Sequence, residues 1–102
     1  NTNVLASGTA TAFTPVSLAV RLPQTSRMAL LHVKSSLGVD PDETFFRPTG
    51  SGSVGFRLLY NSGTNQGVVL WAATDTNQSI DYHRGAAGTV DIDVNGFLED
   101  LD

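Results

Sequence analysis

Acid–base chemistry in this sequence depends on two histidines and on the carboxylates near them. Asp81 and His83 lie two residues apart in the run Ile-Asp-Tyr-His, so on a strand they share a face and could form an imidazole–carboxylate pair. Such a pair can activate a nucleophile, but no glycine-flanked serine or other nucleophile context accompanies it. His32 follows a run of apolar residues, which favours a packed or interface position. We therefore expect no catalytic residues and a protein that is not an enzyme.

The acidic residues suggest two places where a cation could bind. Asp91 and Asp93 share a strand face and, with Asp81 or Glu99 nearby, would offer the oxygen ligands that calcium prefers. The run Asp-Pro-Asp-Glu at 40–43 is a second cluster. Neither has the spacing of an ordered calcium loop, and a solvated strand face or turn explains each more simply. We expect no metal site and no cofactor.

Length and composition indicate one domain, residues 1–102, that hides part of its surface in an assembly. The chain has no cysteine, which excludes disulfides and cysteine-based zinc sites. Its six basic residues are scattered, which argues against nucleic-acid binding. No apolar run approaches the roughly 20 residues of a membrane span. Charged residues make up only 16%, against about 25% in a typical domain, which favours a partly covered surface.

Alternation of apolar and polar residues predicts strands throughout the chain. It is clearest at 89–98, where Val90, Ile92 and Val94 alternate with polar residues until Gly96 breaks the pattern, which suggests a bulge or a close backbone approach. Turn residues separate the remaining apolar stretches. Those stretches predict further strands at 13–18, 27–37, 44–48, 56–60, 67–73 and 78–83.

Three details of this assignment bear on the fold. Pro15 cannot donate a ladder hydrogen bond, so its strand should lie at a sheet edge or contain a bulge. Residues 28–33 also fit a short helix, because periodicity is ambiguous in short apolar runs. Residues 1–10 fit an N-terminal arm, an edge strand or a loosely held terminus, and residues 99–102 form an acidic tail. The predicted fold is all-β, an antiparallel β-sandwich or jelly roll of seven to eight strands.

The strands carry a recognisable order of residues. It consists of Arg-Met-Ala-Leu-Leu-His-Val at 27–33, Phe-Phe-Arg-Pro-Thr-Gly-Ser at 45–51, Gly-Val-Val-Leu-Trp at 67–71, Ile-Asp-Tyr-His at 80–83 and Val-Asp-Ile-Asp-Val-Asn-Gly-Phe at 90–97. This order resembles a small β-sandwich module of tailed-phage fibre and virion proteins and of some bacterial surface proteins. The resemblance covers roughly residues 11–98, and the closing Gly96-Phe97 pair is its most distinctive part.

The resemblance implies a jelly-roll-like structural module on the surface of a virion, as a fibre, spike or head-decoration domain with a role in host attachment. It implies a homotrimer whose partners are its own copies and other virion proteins. These modules share no catalytic residues. The sequence departs from them at Asn95, where an apolar residue usually precedes the glycine, and in its acidic tail.

Two strands, at 27–37 and 67–73, carry more apolar residues than one sandwich interior needs. Uncovered apolar surface of this kind usually marks an interface. The predicted oligomer interface consists of Met28, Leu30, His32, Val69 and Trp71.

The alternative function is a carbohydrate- or receptor-binding module, whose ligand would be a glycan of the host surface. Polar residues in the connecting loops are predicted to face such a ligand: Asp40, Asp42, Ser51, Ser53, Asn61 and Asn65. Aromatic rings also stack on sugars, and the candidate rings are Phe45, Phe46, Tyr60, Trp71 and Tyr82. An exposed aromatic residue near those loops would favour this alternative, and a fully buried Trp71 would weaken it.

Overall fold

The computed structural model describes residues 3–36, 42–52, 55–60, 66–84 and 89–99. These residues form eight β-strands and no helix, which confirms the all-β prediction. The strands are β1 (Asn3–Gly8), β2 (Thr14–Ser17), β3 (Ser26–Ser36), β4 (Asp42–Pro48), β5 (Phe56–Tyr60), β6 (Gln66–Ala73), β7 (Ser79–Arg84) and β8 (Thr89–Glu99). None of the described residues belongs to a helix with the length and hydropathy needed to cross a lipid bilayer.

The strands form two four-stranded antiparallel sheets. Sheet A has the order β1-β8-β3-β6, and sheet B has the order β2-β7-β4-β5. The first strand therefore pairs with the eighth, the second with the seventh, the third with the sixth and the fourth with the fifth. The chain is one long antiparallel ribbon rolled into two layers, which is the jelly-roll arrangement among the predicted alternatives.

The core lies between the inner faces of the two sheets. Alternate residues of β3 and β8 fill the sheet A side, and Leu31, Val33 and Ile92 are fully buried there. From sheet B, Ile80 is fully buried and Tyr82 nearly so. The predicted inward face of β8 is confirmed, because a strand of period two buries every second side chain.

Pairing on both sides explains why residues 28–33 form a strand and not a helix. β3 pairs with β6 on one side and with β8 on the other, so its backbone groups are satisfied by the ladders. Pro15 lies in β2, the outermost strand of sheet B, as its missing N–H requires. The helix alternative is therefore wrong, and the edge position of Pro15 is confirmed.

The N-terminal residues form an edge strand and not a free arm. β1 pairs with β8 at the outside of sheet A. The Asn3 amide donates to Asp93 Oδ1 at 3.0 Å, and the Ser7 N–H donates to Asp91 Oδ1 at 2.6 Å. At the other end of the chain, Glu99 is the last residue of β8, so the predicted acidic tail begins inside a strand.

Candidate functional site

The outer face of sheet A presents an apolar surface formed by three neighbouring strands. Leu30 of β3 lies opposite Trp71 of β6 and Gly96 of β8, and Met28 lies opposite Leu98. Val69, Trp71 and Leu98 keep 54%, 46% and 53% of their surface exposed. We call Met28, Leu30, Val69, Trp71 and Leu98 the sheet A patch.

A bulge in β8 places Leu98 in this patch. Val94 opposes Leu31 on the buried face, whereas Gly96 opposes Leu30 on the outer face, so Asn95 is an extra residue in the ladder. The bulge predicted at Gly96 is thereby confirmed. Leu30 lies over Gly96, where an added β-carbon would be 3.7 Å from Leu30 Cβ and 3.8 Å from Leu30 Cδ2, at ordinary van der Waals distance.

Polar groups border the sheet A patch on one side. His32 Nδ1 lies 3.7 Å from Asp93 Oδ2, and both side chains are about one-third exposed. The imidazole also lies directly over Gly67, where any β-carbon would overlap Nε2. His32 therefore marks the rim of the apolar surface, and the five residues predicted as an interface share one sheet face.

The outer face of sheet B is chemically different, because an ion pair and stacked rings cover it. Arg47 Nε donates to Asp81 Oδ2 at 2.9 Å, and the guanidinium lies 3.9 Å above the centre of the Phe13 ring. His83 lies between two phenylalanines. It stacks on Phe45 at 4.5 Å between ring centres and meets Phe13 edge-on at 4.4 Å.

The Asp81 carboxylate is held in its ionised form. Burial alone raises the pKa of a carboxyl group, and only 6% of this side chain is exposed. Hydrogen bonds from Arg47 and from the Gly50 N–H outweigh burial and bring the pKa of Asp81 below its ordinary value. The turn after β4 thus folds back onto sheet B and completes this network.

The structure separates several residues that the sequence analysis grouped together. Asp81 binds Arg47, while His83 is occupied by the two rings, so they form no imidazole–carboxylate pair. Asp81 belongs to sheet B, whereas Asp91 and Asp93 belong to sheet A. In the described part of the chain, no three carboxylates and histidines are close enough to hold a metal ion.

The aromatic residues are also divided. Phe46 and Tyr82 are core residues, and Phe45 stacks on His83, so a single platform with Trp71 does not form. The backbone of Tyr60 is described in β5, but its side chain lies outside the description.

The loop residues predicted to face a ligand are only partly described. Ser51 lies in the exposed turn after β4, as expected for a loop residue. Asp42 was expected in a turn, but it begins β4, where it pairs with Tyr60. That part of the prediction is wrong because the β4–β5 ladder extends further than the short Phe-Phe stretch indicated. The remaining four, Asp40, Ser53, Asn61 and Asn65, lie outside the described residues.

A cleft of about 280 Å³ runs beside the sheet A patch. Residues 70–73 of β6 form one wall, and residues 46–48 of β4 form the other. Both inward- and outward-facing residues of β6 line it, which places the cleft along the outer edge of that strand. Sequence analysis missed this feature, because it depends on how the two sheets diverge and not on any residue pattern.

Comparison with known proteins adds no assignment to this geometry. No protein-family model matches the chain, and no curated protein matches its sequence.

Proposed function

We propose that this protein is a non-enzymatic structural module of a tailed-phage virion that assembles with copies of itself through the sheet A patch. The observation that carries the proposal is the exposure of Val69, Trp71 and Leu98 side by side on a sheet whose other face already forms the core. A sandwich sheet needs only one apolar face, and a second one is stabilised by removal from water.

Charge supports a copy of the same chain as the occupant of this surface. The chain carries a net charge of −4, so two copies repel each other over most of their surfaces. The sheet A patch contains no charged residue, and its charged neighbours lie at the rim. Contact through the patch therefore buries apolar surface without bringing like charges together.

The virion setting is supported by the sequence resemblance and by the fold. Jelly rolls recur in viral capsid and lectin domains, although a fold alone does not assign a function. In the proposed particle the module is a fibre, spike or head-decoration domain. It forms a trimer through the sheet A patch, contacts other virion proteins and directs its loops outward for host attachment.

The oligomeric mass tests this proposal. Leu98→Asp places a charge in the patch, and Val20→Asp places the same charge on a valine that is 80% exposed and lies outside the patch. We expect light scattering to give a trimer for the natural chain and for Val20→Asp, and a smaller species for Leu98→Asp. A natural chain that is monomeric at micromolar concentration, or equal masses for the two variants, would contradict the proposal.

A specific observation favours carbohydrate binding as a second candidate. Trp71 is 46% exposed and lies at the cleft, so its ring has a free apolar surface on which a sugar could stack. The chain has one tryptophan, so its fluorescence reports on this position alone. Titration with a panel of oligosaccharides should shift that emission if a sugar binds there. An unchanged spectrum at millimolar sugar would remove this candidate.

A further inference from the structure

The outer edge of β6 is an unprotected β-strand edge. Within the part of the chain that the structure describes, β3 is the only sheet neighbour of β6. The β3–β6 ladder runs without a register shift from Met28 opposite Ala73 to Ser35 opposite Gln66. Alternate backbone N–H and C=O groups of β6 consequently point away from the sheet, in a row to which another strand can form hydrogen bonds.

The other three edge strands, β1, β2 and β5, have features that discourage pairing with a further strand. β1 has two register shifts along its ladder and a positive φ of 54° at Ser7. β2 has four residues and contains Pro15, and β5 has five residues and contains Arg57. By contrast, β6 has eight residues, with neither proline nor charge. Natural sheets block free edges with bulges, prolines, charges or short length, and β6 has none of these.

We infer that β6 pairs antiparallel with β6 of a second copy of this chain, about a two-fold axis at Leu70, to join two A sheets into one continuous sheet. The pairing is formed by the backbone edge of β6 and not by contact between two sheet A patches. It therefore goes beyond the proposed assembly function and does not depend on it.

Side-chain parity determines the register. Directly opposed residues in an antiparallel pair point to the same face, so the outward residues of one β6 must oppose outward residues of the other. Two registers pair seven residues of β6 under this condition, one centred on Val69 and one on Leu70, and we take the second, which puts Leu70 opposite the partner's Leu70. It also sets Val69 opposite the partner's Trp71, an aromatic and β-branched pair of the kind that stabilises sheets.

Three observations favour a second copy over an unrelated strand. β6 is uncharged, so two copies meet there without repulsion despite the net charge of −4. The two-fold register is self-complementary, as an isologous contact requires. The cleft along residues 70–73 leaves the space beside this edge open toward β4. In the joined sheet, the two sheet A patches lie on the same side and form one larger apolar surface.

Cysteine cross-linking tests the register directly, because the natural chain has no cysteine. In Leu70→Cys, the two sulfurs lie opposite each other on the axis, within the Cα separation that a disulfide allows. In Val68→Cys, the matched control, the two positions are about 13 Å apart along the strands. Both side chains are partly buried and pack against the core, so the two substitutions disturb folding similarly.

We expect Leu70→Cys to form a disulfide-linked dimer under mild oxidation at micromolar protein, about a hundredfold faster than Val68→Cys, because paired strands hold the thiols at roughly millimolar effective concentration. Equal rates, or cross-linking of Val68→Cys alone, would overturn the inferred register. Absence of cross-linking in both folded variants would overturn the pairing itself.

Hydrogen exchange on the natural chain keeps the inference testable if Leu70→Cys does not fold. In an unpaired strand, the β6 amides that point away from β3 exchange rapidly. In the inferred dimer, all amides of residues 67–73 that lie in either ladder are protected, and protection increases with protein concentration. Rapid exchange of alternate β6 amides at every concentration would contradict the pairing.

The same measurements separate this inference from the sheet A patch proposal. Leu98 lies on β8, two strands away from the β6 edge. Leu98→Asp combined with Leu70→Cys should therefore still cross-link, although the patch contact is lost. A natural chain that is trimeric but shows no β6 protection would support the patch alone, and a dimer that resists Leu98→Asp would support the β6 pairing alone.

Discussion

The two outer faces of this jelly roll differ in where their second layer comes from. Sheet B is covered by its own chain, because Phe13 and the turn after β4 lie over Arg47, Asp81 and His83. Sheet A has no comparable cover among the described residues, and its strands β6 and β8 expose apolar side chains. Both sheets follow the same alternating pattern, so alternation decides which residues face outward but not what they meet.

The two contacts between a basic and an acidic side chain show the same contrast. Arg47 and Asp81 are 2.9 Å apart, with 20% and 6% of their side chains exposed, and backbone groups complete their hydrogen bonding. His32 and Asp93 are 3.7 Å apart, and each is 35% exposed. A buried, hydrogen-bonded pair is costly to break, whereas an exposed one contributes little. The polar contact on sheet B is therefore largely buried within the chain, whereas the one on sheet A is partly exposed.

The largest effect on the free energy of unfolding is expected from a substitution on the outer face of sheet B. Arg47→Ala leaves the buried Asp81 carboxylate without its cationic partner and should lower the free energy of unfolding by about 3 kcal/mol. His32→Ala breaks the exposed pair on the other face and should cost less than about 0.5 kcal/mol. Urea denaturation of both variants measures the difference. Similar costs would mean that the two faces do not differ as the burial of their ion pairs indicates.

The next prediction compares one aromatic residue from each face. Phe45→Ala removes the ring stacked on His83 and should cost about 2 kcal/mol at every protein concentration, because its partners lie in the same chain. Trp71→Ala removes a half-exposed ring and should cost less than about 1 kcal/mol in the monomer. If Trp71 lies in an interface, its cost increases with protein concentration. Thermal melts across a hundredfold concentration range distinguish the two, and a concentration-independent Trp71→Ala would count against self-assembly.

Sequence patterns predicted the strands and their buried faces better than the contacts that the outer faces make. The buried row Val90, Ile92 and Val94 and the edge position of Pro15 followed from period two and from a missing N–H. The outward direction of the Leu98 side chain was not predicted, because the bulge at Asn95 reverses the alternation before Leu98. A bulge changes every side-chain direction beyond it, so its register must be known first.

For a related reason, the sequence did not predict which polar side chains would contact each other. Arg47 and Asp81 are 34 residues apart in sequence and meet only because β4 lies beside β7. Asp91 and Asp93 resemble Asp81 in sequence context, yet the roll puts them in the other sheet. The order of strands in the two sheets arises from long-range pairing, which local residue spacing does not specify.

The smallest effect on the free energy of unfolding is expected in the acid range, where Asp81 on the outer face of sheet B takes up a proton. The folded-state pKa of Asp81 lies below its ordinary value of 3.8, since burial is outweighed by hydrogen bonds from Arg47 and the Gly50 N–H. The unfolded chain therefore takes up this proton first as the pH falls. The contribution of Asp81 is complete above its unfolded pKa and is lost as the pH decreases through the folded value.

Asp81→Asn should be less stable at neutral pH but should lose less further stability on acidification than the natural chain, as measured by urea denaturation from pH 7 to pH 2. Parallel acid curves for the natural chain and Asp81→Asn would show that the sheet B network does not favour the ionised carboxylate, and the distinction between a covered face and an exposed face would then depend on the apolar residues alone.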